Sequence, residues 1–374
     1  MKMKHFLHIN FRSSTTLFLL IILQIIGCSQ DKKSHRSHTN RSIVKKPEIS
    51  AVITPRNSSV LKCGDAIPVI LNFKNNNIKI DSVTASSGNY FYTCKKSDFT
   101  NFSWSTNNAH VGQNILKITI FYNDSLRENQ SVVVTLLSDI IPKLYKYRLI
   151  NTYPHDINAY TQGLIYDKGT LLESTGQNGK SSLRRVKIET GEIIRLVNLD
   201  SKFFGEGIAI VSDKIYQITW KSQTGFIYSL ENFDELKNFS FPYDEGWGLT
   251  SNGNDIYMTD GTNNVYVIEP EYFTQKSQFE VFNHKGRMNE LNELEYVNGK
   301  ILANVLGESY ILVIDPENGK VTGEIELKDL IPKGFENQLN KVLNGIAYNK
   351  KTNRFYVTGK LWPVLYEIEI EGEI

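Results

Sequence analysis

A small set of polar residues, most of them beside a glycine, is the part of this sequence best suited to chemistry. The set holds one carboxylate, one ammonium group and two amides: Glu206, Lys360, Gln162 and Asn292. Four large aromatic residues recur in the same segments: Tyr160, Phe204, Trp220 and Trp247. An apolar cup that holds a few polar groups is typical of a site for a small molecule or a chain end. A carboxylate in such a cup is able to accept a proton and to return it.

Each of these residues has an ordinary structural explanation when it is taken alone. A glutamate between glycines is usually a turn residue, a lysine is usually a solvated surface charge, and tryptophans often wedge sheets together. Other chemistries have weaker support. Segment 174–181 resembles a phosphate-binding loop but lacks its first glycine, and no helix is predicted after it. The 7 histidines show no metal-ligand spacing, and no Gly-x-Ser-x-Gly motif is present, so we expect no metal site and no serine nucleophile.

The site segments lie at the openings of a repeat that runs from Tyr145 to the end of the chain. A strand opens at Gly163-Leu164, Gly207-Ile208, Gly248-Leu249, Gly345-Ile346 and, without the glycine, Glu293-Leu294. A period of about 45 residues with about four strands is typical of a propeller blade. The period predicts a five-bladed β-propeller over residues 142–374, closed by strand Val364–Ile368 meeting residues near Tyr145. A linear solenoid is the alternative, but it needs capping repeats, which the sequence does not show.

Residues 47–141 have a different pattern. Short β-rich runs at 66–73, 114–121 and 131–137 alternate with turn residues, and no helical pattern is present. Such spacing predicts a small immunoglobulin-like β-sandwich, which we expect to space or brace the propeller. The fold class expected for the whole chain is therefore all-β.

Two cysteines, Cys63 and Cys94, fall in predicted strands of this front domain. In an oxidising compartment they are able to form a disulfide, and the alternative is a pair of buried thiols. We take the disulfide as the expectation.

The first 27 residues are typical of an export signal, because a basic head precedes the apolar run 17–26. That run is too short to span a bilayer, which needs roughly 20 apolar residues. It ends in Ile-Ile-Gly-Cys, which resembles the bacterial lipoprotein box and implies lipidation of Cys28; ordinary secretion with cleavage nearby is the alternative. Residues 28–46 are too polar to fold and are predicted to be a disordered tether. We expect an exported protein, lipid-anchored on the periplasmic or cell-surface side of a bacterial membrane.

Charge and composition exclude some partners. Lysine plus arginine (42) nearly balance aspartate plus glutamate (40), so the net charge of +2 argues against a nucleic-acid surface. The 19 tyrosines and 19 phenylalanines suit short strands. We expect a monomer.

Taken together, the site segments resemble a known family. Tyr-Thr-Gln-Gly-Leu, Phe-Gly-Glu-Gly, Leu-Asn-Glu-Leu-Glu and Val-Thr-Gly-Lys-Leu-Trp-Pro occur in the order and spacing of the plant and bacterial glutaminyl-peptide cyclotransferases, which are five-bladed propellers. The resemblance runs from about Tyr145 to Ile370. It implies that Glu206 is the acid/base carboxylate and that Asn292 and Lys360 are the other polar active-site residues. It also implies a pocket lined by Tyr160, Gln162, Phe204, Trp220 and Trp247.

One position departs from the family pattern. Leu306 stands where the family usually has a pocket tryptophan. We expect this change to affect rate and substrate preference more than the reaction itself.

The implied reaction closes the N-terminal glutamine of a peptide or protein to pyroglutamate and releases ammonia. Nucleophile and electrophile belong to one residue, so neither a covalent intermediate nor a cofactor is needed. An α-amine has a pKa of about 7.7–8.0, so Glu206 has to take its proton and deliver one to the leaving nitrogen. The alternative is a non-catalytic propeller that binds peptide N-termini or another ligand outside the cell. Glu206, Asn292 and Lys360 together favour the enzyme, because simple binding does not require all three.

Overall fold

The computed structural model describes residues 49–74, 77–95, 99–336, 338 and 340–374. Regular structure in these residues is β-sheet, apart from one 3-10 turn at Lys328–Leu330. The predicted signal segment 1–27, Cys28 and the tether 28–46 lie outside the described residues. In the ranges given above, no helix has the length and apolar character needed to cross a membrane.

Two sheets form the N-terminal part. The first has the order β1-β3-β6 and consists of β1 (Ser50–Thr54), β3 (Ala66–Phe73) and β6 (Asn101–Ser105). The second has the order β2-β8-β7-β4-β5 and consists of β2 (Ser59–Lys62), β4 (Ile80–Ser87), β5 (Tyr90–Cys94), β7 (Gly112–Tyr122) and β8 (Leu126–Leu137). Inward side chains of both sheets share one apolar core that contains the fully buried Trp104. Alternating burial along β3 and β6 is what a strand with one core-facing side requires.

The predicted disulfide between Cys63 and Cys94 is wrong, because both residues are present as buried thiols that are not joined. Cys94 ends β5 at one edge of the second sheet, and Cys63 directly follows β2 at the opposite edge. Four strand spacings of ~4.8 Å separate the two edges by about 19 Å. A disulfide requires Cα atoms within about 7 Å of each other. The Cys63 thiol instead donates to the carbonyl oxygen of Ala109, 3.7 Å away.

Five antiparallel four-stranded sheets make up the rest of the described chain. Sheet 1 consists of β11 (Thr161–Asp167), β12 (Thr170–Thr175), β13 (Ser182–Lys187) and β14 (Ile193–Asn198). Sheet 2 consists of β15 (Gly205–Val211), β16 (Lys214–Thr219), β17 (Thr224–Ser229) and β18 (Glu235–Ser240). Sheet 3 consists of β19 (Leu249–Ser251), β20 (Ile256–Thr259), β21 (Asn264–Glu269) and β22 (Thr274–Glu280). Sheet 4 consists of β23 (Leu291–Val297), β24 (Lys300–Val305), β25 (Tyr310–Ile314) and β26 (Val321–Glu326), with β9 (Lys143–Tyr145) added in parallel to β26. Sheet 5 consists of β27 (Leu343–Asn349), β28 (Arg354–Gly359), β29 (Val364–Ile370) and β10 (Tyr147–Pro154).

The first strands of the five sheets contact one another in a closed cycle. Each of β11, β15, β19 and β23 contacts the first strand of the next sheet, and β27 contacts β11. The last sheet combines both ends of this region, because β10 pairs antiparallel with β29. The prediction that residues 364–368 meet residues near Tyr145 is therefore confirmed.

The repeated glycines lie where the first strands approach most closely. A Cβ atom on Gly207 would overlap the backbone nitrogen of Leu249, and one on Gly248 would overlap the carbonyl oxygen of Asn292. Only glycine allows these backbones to come so close. At the opening without a glycine, the buried Glu293 accepts the backbone N–H groups of Leu164 (3.2 Å) and Ile346 (2.9 Å). Its carboxylate thus links the first strands of sheets 4, 1 and 5.

The N-terminal sheets contact sheets 3 and 4, and the described residues from Ile49 onward form one compact unit. The Lys320 ammonium lies 2.7 Å from the Asp139 carboxylate. The backbone N–H of Gln113 donates to the Glu280 carboxylate at 2.5 Å. Phe282, which follows sheet 3, is buried in the core of the N-terminal sheets. An ion pair, a hydrogen bond to a carboxylate and an apolar side chain therefore join the two parts.

Candidate active site

A buried carboxylate and a buried amide lie side by side on the first strands of sheets 1 and 2. Glu206, in β15, is 4% exposed, and Gln162, in β11, is 3% exposed. The Gln162 Nε2 donates to Glu206 Oε1 at 2.8 Å. The flanking Gly205 and Gly207 permit the tight packing that puts this carboxylate against its neighbours. Two of the four polar residues predicted from the sequence are thus in direct contact.

The pKa of Glu206 is raised well above its usual value. Burial is the main cause, because a charge removed from water loses its hydration. The positive charge of Lys360 and the hydrogen bond from Gln162 oppose the rise, and the negative charge of Glu245 adds to it. A carboxyl group with a raised pKa is suited to both accepting and donating a proton near neutral pH.

Lys360 lies directly after β28, in a turn fixed by backbone hydrogen bonds. Its own N–H donates to the Val342 carbonyl (2.9 Å), and the N–H of Leu361 donates to the Ala159 carbonyl (2.8 Å). This turn brings the buried Lys360 Nζ to 5.1 Å from the centre of the Tyr160 ring. Burial lowers the pKa of Lys360 to about 8, and the Glu206 charge opposes that shift. A solvated surface lysine, the ordinary explanation, does not describe this residue.

Half-buried aromatic rings stand next to these polar groups. Tyr160 meets Phe204 edge to face with ring centres 6.0 Å apart, and Phe204 meets Trp220 with ring centres 5.5 Å apart. Gly176 is required behind Phe204, since a Cβ at that position would overlap the ring. Three of the four aromatic residues predicted for the pocket therefore form one continuous wall.

The fourth aromatic residue, Trp247, joins this wall through a carboxylate that the sequence analysis missed. Glu245 Oε2 accepts the indole N–H groups of both Trp220 (2.7 Å) and Trp247 (2.9 Å). Its Oε1 lies 3.2 Å from the Lys221 ammonium. Burial alone raises the pKa of Glu245, but the bonds from Trp247, Trp220 and Lys221 outweigh it, and the net shift is downward. Glu245 is thus an ionised residue that holds two indole rings.

Asn292, in β23, is 2% exposed and is tied to the segment that carries Trp247. Its backbone carbonyl accepts the Thr259 hydroxyl (2.9 Å), and the same hydroxyl oxygen accepts the N–H of Gly248 (2.8 Å). Its side-chain Oδ1 is buried and has no hydrogen-bond partner among the residues that the structure describes. A buried acceptor without a partner is unfavourable in a fold and is suited to an N–H group of a bound molecule.

A third amide, Asn344 in β27, was not predicted from the sequence. It is 1% exposed, and its Nδ2 donates to Gln162 Oε1 at 3.1 Å. No local pattern identifies it, because its partner is 182 residues away in the chain.

A cavity of about 560 Å³ opens beside Trp247 and Glu245. Tyr243, Tyr266, Asp260 and Glu290 contribute to its other walls. Leu306 is half-buried nearby, directly after β24, and its N–H donates to the carbonyl of Glu290 (2.9 Å). In the described ranges, no group of three or more histidine, cysteine, aspartate or glutamate residues is placed to hold a metal ion.

Known proteins of one family are similar to this chain in sequence and in structure. The family model for glutamine cyclotransferase matches residues 123–370. A glutaminyl-peptide cyclotransferase from Arabidopsis thaliana is 37% identical over 237 residues, which are 62% of this chain and 74% of that protein. The crystal structure of Myxococcus xanthus glutaminyl cyclase matches with a TM-score of 0.58 and 32% identity, over 62% of this chain and 98% of that chain. These matches confirm the resemblance inferred from the sequence and support a β-propeller-like glutaminyl cyclase fold. The chain belongs to the glutamine cyclotransferase family.

Proposed function

We propose that this chain is a glutaminyl-peptide cyclotransferase, which converts the N-terminal glutamine of peptides or proteins to pyroglutamate with release of ammonia. One observation carries the assignment of the site: a buried carboxylate with a raised pKa, Glu206, lies beside a half-buried aromatic wall and a buried amine, Lys360. A glutamate in a surface turn, a solvated lysine and tryptophans that only separate sheets do not explain this buried combination of charged groups.

In the proposed reaction the α-amine nitrogen of the substrate attacks the side-chain carboxamide carbon. Glu206 takes one proton from the amine as the new C–N bond forms. It returns that proton to the carboxamide nitrogen, the old C–N bond breaks, and ammonia leaves. Atoms and charge balance within one substrate molecule, and no cofactor takes part.

Lys360 and Asn292 are proposed to stabilise the reacting carboxamide. With a pKa of about 8, Lys360 is still mostly protonated at neutral pH, so it is able to donate to the oxygen that gains negative charge. The buried Oδ1 of Asn292 is suited to accept an N–H of the same carboxamide. Loss of one donor to a developing oxyanion typically costs ~2.7–4 kcal/mol in activation free energy.

The aromatic residues are proposed to hold the glutamine side chain folded back on its own amine. Tyr160, Phe204 and Trp220 form the continuous wall, and Glu245 fixes Trp220 and Trp247 relative to each other. The cavity of about 560 Å³ beside Trp247 gives room for the residues that follow the glutamine. Correct orientation of reacting groups is worth several kcal/mol, so this wall acts on rate as well as on binding.

For the architecture, we propose a five-bladed β-propeller at residues 142–374 and an immunoglobulin-like sandwich at residues 47–141. The five four-stranded sheets and the cyclic contacts of their first strands support the propeller. Two sheets around one core, nearly all antiparallel, support the sandwich. A crystal structure with another number of blades would contradict the first part.

For the location, we propose that the protein is exported and lipid-anchored through Cys28, with residues 28–46 as a tether, and that it acts as a monomer. The small residue Gly27 directly before Cys28 and the apolar run before it support this proposal.

The experiment that tests the function uses the protein from Lys46 to Ile374 and a peptide that begins with glutamine. Mass spectrometry should show loss of one ammonia from the peptide at a rate proportional to the enzyme concentration. Binding of the peptide without any mass change would instead support a non-catalytic capture protein.

A further inference from the structure

Asn344 reaches the site through a hydrogen bond to Gln162. The hydrogen bonds of the Asn344 amide determine which way the Gln162 amide points. This inference rests on the function proposed above. We propose that Asn344 is a positioning residue, which orients the Gln162 amide so that a hydrogen-bond donor always faces Glu206.

The direction of the hydrogen bonds follows from a backbone carbonyl. Asn344 Nδ2 lies 2.9 Å from the carbonyl oxygen of Thr161, which can only accept. The nitrogen of the Asn344 amide must therefore point there, because the amide oxygen in its place would put two acceptors in contact. The same Nδ2 lies 3.1 Å from Gln162 Oε1. With its oxygen held by Asn344, Gln162 presents Nε2 to Glu206 Oε1 at 2.8 Å.

This orientation matters for a carboxylate that has to be ionised before it can act as a base. An N–H donor favours the ionised form of Glu206 and occupies Oε1, which leaves Oε2 for the proton transfer. If the Gln162 amide were reversed, its oxygen would face Glu206 Oε1, and that contact is tolerable only when Glu206 is protonated. Asn344 thus opposes the effect of burial on Glu206.

The cost of this arrangement appears on Asn344 itself. Its Oδ1 is buried and has no hydrogen-bond partner among the described residues. An unpaired buried acceptor destabilises the fold. A buried position that served packing alone would be filled better by an apolar side chain, so the amide is explained by the N–H that it supplies.

The test is the pH dependence of kcat for a Gln-initiated peptide, measured on Asn344→Leu. Without Asn344, the Gln162 amide loses its fixed direction and the donor to Glu206 is weakened. A hydrogen bond to a charged group is worth about one pK unit, so the pKa of Glu206 should rise by about that amount. The acid limb of the kcat profile, where kcat falls as Glu206 becomes protonated, should therefore move to a pH about one unit higher. At pH values below the limb kcat should fall about tenfold, and above it kcat should recover, while KM changes by less than about threefold.

Other charges near Glu206 are unchanged in this variant. Lys360, Glu245 and the neutral phenol of Tyr160 are the titratable groups that interact with Glu206, and all are retained. The matched control is Asn349→Leu, which removes another buried amide from β27, one whose oxygen accepts the backbone N–H of Lys351. Its acid limb should stay in place.

The two possible failures are distinguishable. If the unmodified protein does not cyclise the peptide, both the proposed function and this inference are overturned. If the unmodified protein is active and Asn344→Leu keeps its acid limb, or loses activity equally at all pH values, only this inference is overturned. Should Asn344→Leu not fold, as shown by its melting curve, Asn344→Ala is measured in the same way. Gln162→Leu is then combined with Asn344→Leu or with Asn344→Ala. Because Asn344 is proposed to act through Gln162, the double variant should move the acid limb no further than Gln162→Leu does alone.

Discussion

The carboxylate that holds two tryptophans gives the sharpest prediction about substrate binding. Glu245 accepts the indole N–H groups of Trp220 and Trp247 on one oxygen, at 2.7 and 2.9 Å. In Glu245→Ala both indoles lose this anchor, whereas Glu206 and Lys360 keep their own contacts. The cup should therefore bind substrate less well while the chemistry continues.

The size of the effect follows from the two bonds. A hydrogen bond to a charged group is worth ~1.5–3 kcal/mol, but both tryptophans are half-buried and their N–H groups regain bonds to water in the variant. We expect a net loss of ~1.5 kcal/mol in binding, which is about a tenfold rise in KM. We expect kcat to change by less than about threefold, since Glu245 makes no contact with Glu206 beyond its charge. Removal of that negative charge lowers the pKa of Glu206, so the acid limb of kcat should move to lower pH.

The assay combines kinetics with intrinsic fluorescence. The chain has 4 tryptophans, and Trp104 and Trp362 are fully buried, so a red shift in Glu245→Ala reports on Trp220 and Trp247. Glu245→Gln is the matched control, because its amide oxygen is still able to accept the indole N–H groups of Trp220 and Trp247. An unchanged KM together with a red-shifted spectrum would refute the reasoning, since the rings would then have moved without any effect on binding.

Three further predictions concern other parts of the molecule. Because burial lowers the pKa of Lys360 to about 8, kcat should fall as pH rises through about 8. Lys360→Met should have a low kcat that no longer falls in this alkaline range. If kcat of the variant still falls at the same pH, the alkaline decrease belongs to another group. The buried His155 Nε2 lies 2.9 Å from the Glu173 carboxylate. This contact raises the pKa of His155 against the effect of burial and lowers the pKa of Glu173. The ion pair therefore stabilises the fold above pH 4.5, and the stabilisation is lost as pH rises through the raised pKa of His155. The drop in Tm caused by His155→Phe should accordingly be larger at pH 6 than at pH 9, and equal drops would contradict the ion pair. In a suitable bacterium the full-length protein should take up lipid label, and equal labelling of Cys28→Ser would end the lipoprotein proposal.

The sequence predicted the strands of the five sheets well, because their signals are local. Each glycine–apolar opening lies within the first four residues of a sheet's first strand or, at Gly248, directly before it. The overlap of a Cβ on Gly207 or Gly248 with the next backbone explains why glycine recurs. Glu293 replaces the glycine at one opening, where its carboxylate receives two backbone N–H groups from neighbouring first strands.

What the sequence did not predict depends on contacts between distant segments. Asn344 and Gln162 meet only because β27 and β11 are neighbours across the closure of the cycle. Glu245 was not predicted because a carboxylate in a loop between strands gives no sign that it will receive two indole N–H groups. The disulfide prediction failed for a related reason, since strand order decides whether Cys63 and Cys94 meet, and the order puts them on opposite edges.

The central claim is that Glu206 carries the proton in glutamine cyclisation, and kcat of Glu206→Gln for a Gln-initiated peptide tests it most directly. This change keeps the shape and the possibility of a bond to Gln162 but removes the base. Glu295→Gln is the matched control, because Glu295 is also buried with a raised pKa, about 8, yet its carboxylate receives the backbone N–H of Tyr348. General acid–base assistance is worth roughly 10²–10⁴-fold, so kcat of folded Glu206→Gln should fall at least a hundredfold while that of Glu295→Gln stays near the unmodified value. A near-normal kcat in folded Glu206→Gln would contradict the mechanism and assign the proton transfer to another residue.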